Sequence, residues 1–221
     1  MARQLAAAIR TSARPDRPVM VELAGTPRAG KTTAVNELAR MLREQRLRVR
    51  SLTEQASTCP IECKREPTYN VWTYCSTLMG VLEAQDRGHD LILVDRGLFD
   101  SACWMHWHMA TNRLSPQEHR AIQRFVLLPR WADLTDLVIV MEADPPVAMK
   151  RELAQRGPAH PSQIINERTL REFNDSLALM RTRRKRDLPL IDMDTSRMTP
   201  DDVLSALMRK ATEQLRLGFR R

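Results

Sequence analysis

Aromatic side chains are scarce, at 5% of the chain, and no apolar run approaches the length of a membrane span. Four cysteines in 221 residues are too few for a disulfide scaffold, so a core drawn from the 43% hydrophobic residues must supply the stability, and a reducing, cytoplasmic setting fits. The opening MARQLAAAIRTSARP lacks the continuous apolar centre of a secretory signal and reads as a short amphipathic helix or a frayed leader. Internal repeats and low-complexity tracts are absent. What remains is a leader and linker at 1–17 and a single domain at 18–221.

What the chain has in excess is arginine. The net charge is +8 and the pI about 9.9, which raises a nucleic-acid hypothesis. The basic residues are nevertheless spread along the whole chain. The densest run, RTRRKR from Arg181 to Arg186, falls at the end of a predicted helix, where cations suit the dipole, so a solvated helix end is favoured there over a polyanion site.

Hydrophobic patterning predicts strands at Val19–Leu23, Arg48–Glu54, Asp90–Arg96, Asp136–Glu142 and Leu188–Met193. Helices are predicted from Thr33 to about Gln45, Tyr69–Gln85 with Val71, Leu78, Val81 and Leu82 on its apolar face, Leu98–Asn112, Pro116–Leu127, Pro145–Arg156, Ser162 to about Lys185, and Thr199 to about Leu217. DLILVD and DLVIVM are apolar without alternation, as in strands buried on both faces. Strands separated by helices imply an α/β fold, a doubly wound five-stranded parallel sheet with ligands at the carboxyl ends of its strands.

The most informative stretch is VMVELAGTPRAGKTTAV, residues 19 to 35. Gly25, Gly30, Lys31 and Thr32 fit G-x-x-x-x-G-K-[ST] between a predicted strand and a predicted helix, the context that a phosphate-binding loop needs. Glycines let the backbone curl against an anion, and the helix start aims its unpaired amides at it. The loop residues Thr26, Pro27, Arg28 and Ala29 complete the nucleotide contacts; Lys31 would neutralise the β and γ phosphates; Thr32 would offer its hydroxyl to Mg²⁺, with Thr33 as neighbour. Asp95 closes the third strand, placed to hold Mg²⁺ through water or to hold an acceptor hydroxyl, and Arg96 after it can reach the acceptor or its phosphate; the plainer alternatives are a helix cap or a surface ion pair.

These segments resemble the P-loop nucleoside and nucleotide kinase group, thymidylate kinases and deoxynucleoside kinases in particular, over roughly residues 18 to 210. PRAGKTT is similar to the DRAGKST loop of one thymidylate kinase class, with Pro27 where that class has an acid. VDRGLFDS resembles the D-R-[YSH] box, and DLVIVMEADPPVAMKRELAQRG resembles the segment leading into a mobile lid, here about residues 150 to 171. The resemblance implies ATP and Mg²⁺ as cofactors, Arg151 and Arg156 as lid arginines, and an adenine loop after the last strand, DTSRMTP, with Arg197. Lying five apart, Arg151 and Arg156 do not share a helical face, so one would serve the phosphates and the other an ion pair. Arg168 and Arg171 are reserves, with solvated surface the plainer state.

On the acceptor side the resemblance leaves two carboxylates. Deoxynucleoside kinases use a Glu at the end of the second strand, where this chain has Glu54; thymidylate kinases carry R-E-P there, which this chain has as Arg65, Glu66 and Pro67 about eleven residues later. Glu54 is favoured because it ends a strand. Trp72 and Trp104 are candidates to stack a planar acceptor, with core packing the plainer fate; Arg65 and Arg96 are the accompanying basic contacts. Cys103, His106 and His108 offer too few ligands on one face for zinc, and Cys59, Cys63 and Cys75 are loosely spaced, so reduced buried thiols are favoured over a metal.

The expected function is ATP- and Mg-dependent transfer of the γ-phosphate to a nucleoside or nucleoside monophosphate. The alternatives are a kinase of an antibiotic or metabolite on the same fold and a nucleotide-dependent switch or nucleic-acid-linked ATPase. The expected partner is the small-molecule acceptor, with no membrane; a homodimer through helices near Leu98–Leu127 is a further expectation from the resemblance.

Overall fold

A computed structural model describes residues 1–12, 14, 16–53, 58–85, 88–157, 162, 164–184 and 188–218. The apolar runs become strands β1 (Val19–Gly25), β3 (Leu91–Asp95) and β4 (Leu137–Glu142), buried on both faces apart from the last residue of β4. With β2 (Val49–Leu52) and β5 (Leu190–Asp194) they pair in parallel in the order β2-β3-β1-β4-β5. The helices among the described residues are α1 (Ala2–Ser12), α2 (Lys31–Glu44), α3 (Pro67–Gln85), α4 (Leu98–Ala110), α5 (Pro116–Val126), α6 (Pro129–Ala132), α7 (Pro145–Arg156), α8 (Glu167–Arg184) and α9 (Pro200–Arg216). After β1 the chain crosses through α2 to one edge of the sheet; after β3 it leaves for the other. The crevice between the carboxyl ends of β1 and β3 is therefore the switch point where ligands bind in such sheets.

The two-residue period of a strand sorts the core. Val19, Val21 and Leu23 face one layer with Leu5, Ile9, Leu38, Leu42, Leu207 and Leu215 of α1, α2 and α9. Met20 and Ala24 face the other, against α3, α4 and α8. Glu22 falls on that second face, between them, fully buried in a strand otherwise apolar along its first five positions.

Helix α1 buries Leu5, Ala6, Ala8 and Ile9 in the main core, and Ser12 Oγ donates to the Leu215 carbonyl at 3.1 Å. Arg17 then clamps Asp136 with two bonds of 2.7 and 2.6 Å, while Asp136 also accepts from Met20 N at 2.9 Å. The helical reading of the N-terminal segment is the observed one.

Other boundaries shift for local reasons. The helix expected from Ser162 begins at Glu167, because the Ser162 hydroxyl first accepts from Ile164 N and Ile165 N in a turn and Asn166 Oδ1 accepts from Thr169 N at 2.9 Å. The second strand is shorter than expected, and Glu54 lies outside the described residues. In α3 the buried arc centres on Tyr74 and Val81, so Val71 and Leu82, expected on the apolar face, stand at its edge and are exposed. The Thr199 cap is as expected, a reciprocal box with Asp202 ahead of α9.

Since Ile9 is 1% exposed within the main core, Ile9→Ala should lower unfolding stability by about 2–4 kcal/mol in urea titrations. A loss under about 0.5 kcal/mol would mean that α1 is a detachable leader.

Candidate active site

The loop after β1 is a tight curl. Gly25 has φ +122°, and a Cβ there would lie 2.1 Å from the Met141 carbonyl oxygen, so only glycine fits. Gly30, at φ 98°, turns the chain into α2, and Arg28 holds φ 65° although it carries a side chain. Lys31 is buried and donates from Nζ to the Gly25 and Thr26 carbonyls, 2.8 Å each. Thr26 donates to Asn174 Oδ1 of α8 at 2.8 Å. The first-turn amides of α2, the lysine and the curl form an anion cradle.

Pro27, Arg28, Ala29, Gly30, Thr32 and Thr33 line a cleft of about 1040 Å³, to which Lys31, Arg96, Trp104 and Arg151 also contribute. Thr32 Oγ1 donates to Asp95 Oδ2 at 2.5 Å, bringing the candidate metal-side hydroxyl and carboxylate together at the crevice. The β1–β3 register makes this possible: Leu23 pairs with Asp95, and Arg96 N donates to Leu23 O at 3.0 Å. Arg96 sits at φ 64°, a conformation that costs a side-chain-bearing residue about 1 kcal/mol and that turns it into the cleft.

Helix α7 braces the loop from outside. Arg28 pairs with Glu152 and with Gln155, while Arg151 donates to the Arg28 carbonyl at 3.1 Å and the Thr195 carbonyl at 2.6 Å. Arg151 therefore joins the phosphate loop to the segment after β5. Arg156 closes α7, and its side chain lies outside what is described. Arg197 is exposed and does not line the cleft; Met198, Pro200 and Leu204 do. Arg168 and Arg171 pair with Glu172 and Glu167 on the surface, and Arg181 pairs with Glu142 and Asp192.

The acceptor wall is only partly as expected. Trp104 lines the cleft, 5% exposed, with its ring stacked on Phe173 at a centroid distance of 4.0 Å. Trp72 is half-buried and does not line it, nor does Arg65, which is exposed; Tyr69, Asn70 and Lys64 occupy that side. The reason is angular: two positions past Asn70, Trp72 stands on nearly the opposite side of α3 from that cleft residue. Asn70 Oδ1 is held by His108 Nε2 at 2.8 Å, and burial pushes His108 down to about 4, so the neutral ring donates from Nε2. His106 and His119 meet edge to face. Among the described residues no three His, Cys, Asp or Glu gather in a metal-binding group. Of the cysteines expected as buried thiols only Cys103 is buried; Cys59 and Cys75 are half-buried, and Cys63 is exposed.

Two carboxylates were not singled out from the sequence. Glu22 accepts from Gly97 N at 3.1 Å, Phe99 N at 3.1 Å and Asp100 N at 2.8 Å, capping α4 from another element. A Cβ at Gly97 would stand 2.6 Å from that carboxyl. Burial pushes Glu22 up to about 7, against the pull of those amides and with a further push from Asp100. Asp100 accepts from Gly25 N at 2.7 Å, Trp104 Nε1 at 3.1 Å and Arg96 Nη1 at 3.0 Å. A charge inside an apolar run, and an acid four residues after Arg96, were the available signals.

No family model and no curated protein matches the chain. Solved structures do. A deoxyadenosine kinase from M. mycoides with products dCMP and a flexible dCDP bound aligns with 88% of this chain and 100% of its own at TM-score 0.68 and 16% identity. The same enzyme with bound dATP aligns over 87% and 98% at TM-score 0.66, and with bound dCTP over 88% and 100% at TM-score 0.67, both at 17% identity. The chain shares the fold of these deoxyadenosine kinases, a P-loop kinase fold built on a five-stranded parallel sheet flanked by helices.

Glu22 ionises near 4.5 when unfolded and near 7 when folded, so folding takes up a proton in between. The stability it confers over a non-titrating residue is complete below the lower value and is lost as pH rises through the upper one. Parent stability minus that of Glu22→Gln should fall by about 2 to 3 kcal/mol from about pH 5 to pH 8 in urea unfolding. A difference that does not vary with pH would show an ordinary carboxyl.

Proposed function

We propose that this protein is a nucleoside kinase: a phosphotransferase that moves the γ-phosphate of ATP, with Mg²⁺, to the hydroxyl of a nucleoside-like acceptor. The observation that carries it is the meeting of the Gly25–Thr32 curl with Asp95 and Arg96 at one end of a cleft whose other wall holds Tyr69, Asn70 and Trp104. A triphosphate on the curl would take the α2 amides and Lys31. Thr32 and Asp95 supply two oxygens of the hard type that Mg²⁺ prefers and would hold it, directly or through water. When bound, the ion would help neutralise the charge of the phosphates. Arg96, beside Asp95, would meet the acceptor or the transferred group, and Arg151 would steady the loop against α7.

Asp95 or Glu54 would take the acceptor proton. Glu66 is exposed and gives its carbonyl to Tyr69 N at the start of α3, a structural task. The neighbours bind deoxynucleotides and are nucleoside kinases rather than thymidylate kinases, which supports a nucleoside over a monophosphate acceptor. Pro27 in place of the loop acid and the exposed Arg65 favour keeping non-nucleotide hydroxyl compounds in the assay.

Labelled ATP offered with nucleosides, nucleoside monophosphates and aminoglycoside-type alcohols should label a nucleoside. Lys31→Ala should cut kcat/KM at least about 100-fold. Tight ATP binding with no acceptor labelled, and hydrolysis stimulated by DNA or RNA, would replace this reading with a nucleic-acid-linked ATPase.

A further inference from the structure

Asp100 is the third residue of α4, where an acid ordinarily serves its own helix. Here it does not. Glu22, from β1, takes the amides at the helix start, and the Asp100 side chain is left to make three bonds elsewhere. Oδ1 accepts from Gly25 N, the first residue of the phosphate loop, at 2.7 Å. Oδ2 accepts from Arg96 Nη1 at 3.0 Å and from Trp104 Nε1 at 3.1 Å, both of which line the cleft. The carboxylate is 1% exposed. Only a group that accepts on both oxygens satisfies donors from three directions, and in a water-poor site each such bond is hard to replace.

We propose that Asp100 is the positioning residue that sets the acceptor side of the cleft, Arg96 and Trp104, in register with the phosphate loop at Gly25. The inference rests on the phosphotransfer reading above. In-line transfer demands that donor and acceptor meet within a few tenths of an ångström, and a misplacement near 1 Å costs on the order of 100-fold. Asp100 touches both halves. Trp104 is held from its other side by Phe173, and Arg96 by its backbone bond to Leu23, so the carboxylate closes a frame already fixed at its outer edges.

Asp100→Asn keeps the shape but can accept on one atom only. Its oxygen can keep Gly25 N, and its NH₂ then faces the two donors of Arg96 and Trp104. Three measurements on the full chain decide: the affinity for β,γ-imido-ATP, the steady-state constants for the acceptor that the parent labels, and tryptophan emission. The expected result is β,γ-imido-ATP affinity within about threefold of the parent, kcat lower by about 100-fold with a raised acceptor KM, and a shifted emission that Trp104→Phe abolishes. Equal kcat in Asp100→Asn overturns the proposal. So does a kcat loss that tracks lost nucleotide binding, since Asp100 would then serve the loop alone. If Asp100→Asn does not fold, Asp100→Ser carries the test, because it is smaller and keeps only one accepting oxygen: an unchanged kcat overturns the proposal, and a lower kcat with intact β,γ-imido-ATP affinity supports it. A parent that binds β,γ-imido-ATP but labels no acceptor overturns the kinase reading and this inference with it; a parent that labels an acceptor beside an equally active Asp100→Asn overturns this inference alone.

Discussion

A carboxylate in the middle of a buried strand is costly unless its oxygens are satisfied, and Glu22 meets that condition only by gripping the first amides of α4. The grip fixes where α4 starts relative to β1. Because Arg96, Gly97 and Asp100 belong to that start, the same bonds place the basic residue of the cleft and the buried carboxylate behind it. Gly97 is glycine for lack of room, since the Glu22 carboxyl occupies the volume of a Cβ. The site's geometry thus descends from one polar residue on the inner face of a strand, with a helix end as its counter-charge.

The phosphate loop is held in the same fashion, from several elements at once. Met141 of β4 presses on Gly25, Asn174 of α8 holds Thr26, and α7 holds Arg28 through Glu152 and Gln155. Arg151 ties that loop to the segment after β5, whose Thr195 amide in turn reaches the Glu142 carbonyl at 2.8 Å. Residues with positive φ, Arg28 and Arg96, sit at the two turns that face each other across the crevice. Such strain persists where surrounding structure over-determines the backbone, and here both turns are so determined.

Much of this was readable in advance, and the reason is local. Five strands, three of them buried on both faces, a glycine-bounded loop before a helix, and an acid closing an apolar run each leave a mark within a few residues. The readings of Gly25–Thr32 and of the pair Asp95–Arg96 rest on such marks, and the structure brings Thr32 against Asp95. Trp72 was misplaced because helix rotation decides which face meets the cleft, and in α3 the buried arc passes through Tyr74 and Val81 instead, whereas Arg65 lies ahead of that helix in a turn that gives the cleft Lys64. Arg197 failed for a related reason, as its loop offers the cleft Met198 while the arginine turns to solvent.

By itself, the order of residues determined the five strands, their parallel winding, most of the helices and the glycine-bounded curl from Gly25 to Thr32, since these follow from side-chain period, glycine conformational freedom and the length of apolar runs. Tertiary structure alone decided the partners of Glu22 and Asp100, which lie 75 to 78 residues from the amides they accept across elements. A charge in an apolar run announces that something must satisfy it, but the satisfying group is chosen by strand register and helix placement. Those are properties of the packed chain, in which desolvation makes each unpaired polar atom expensive and so selects one arrangement.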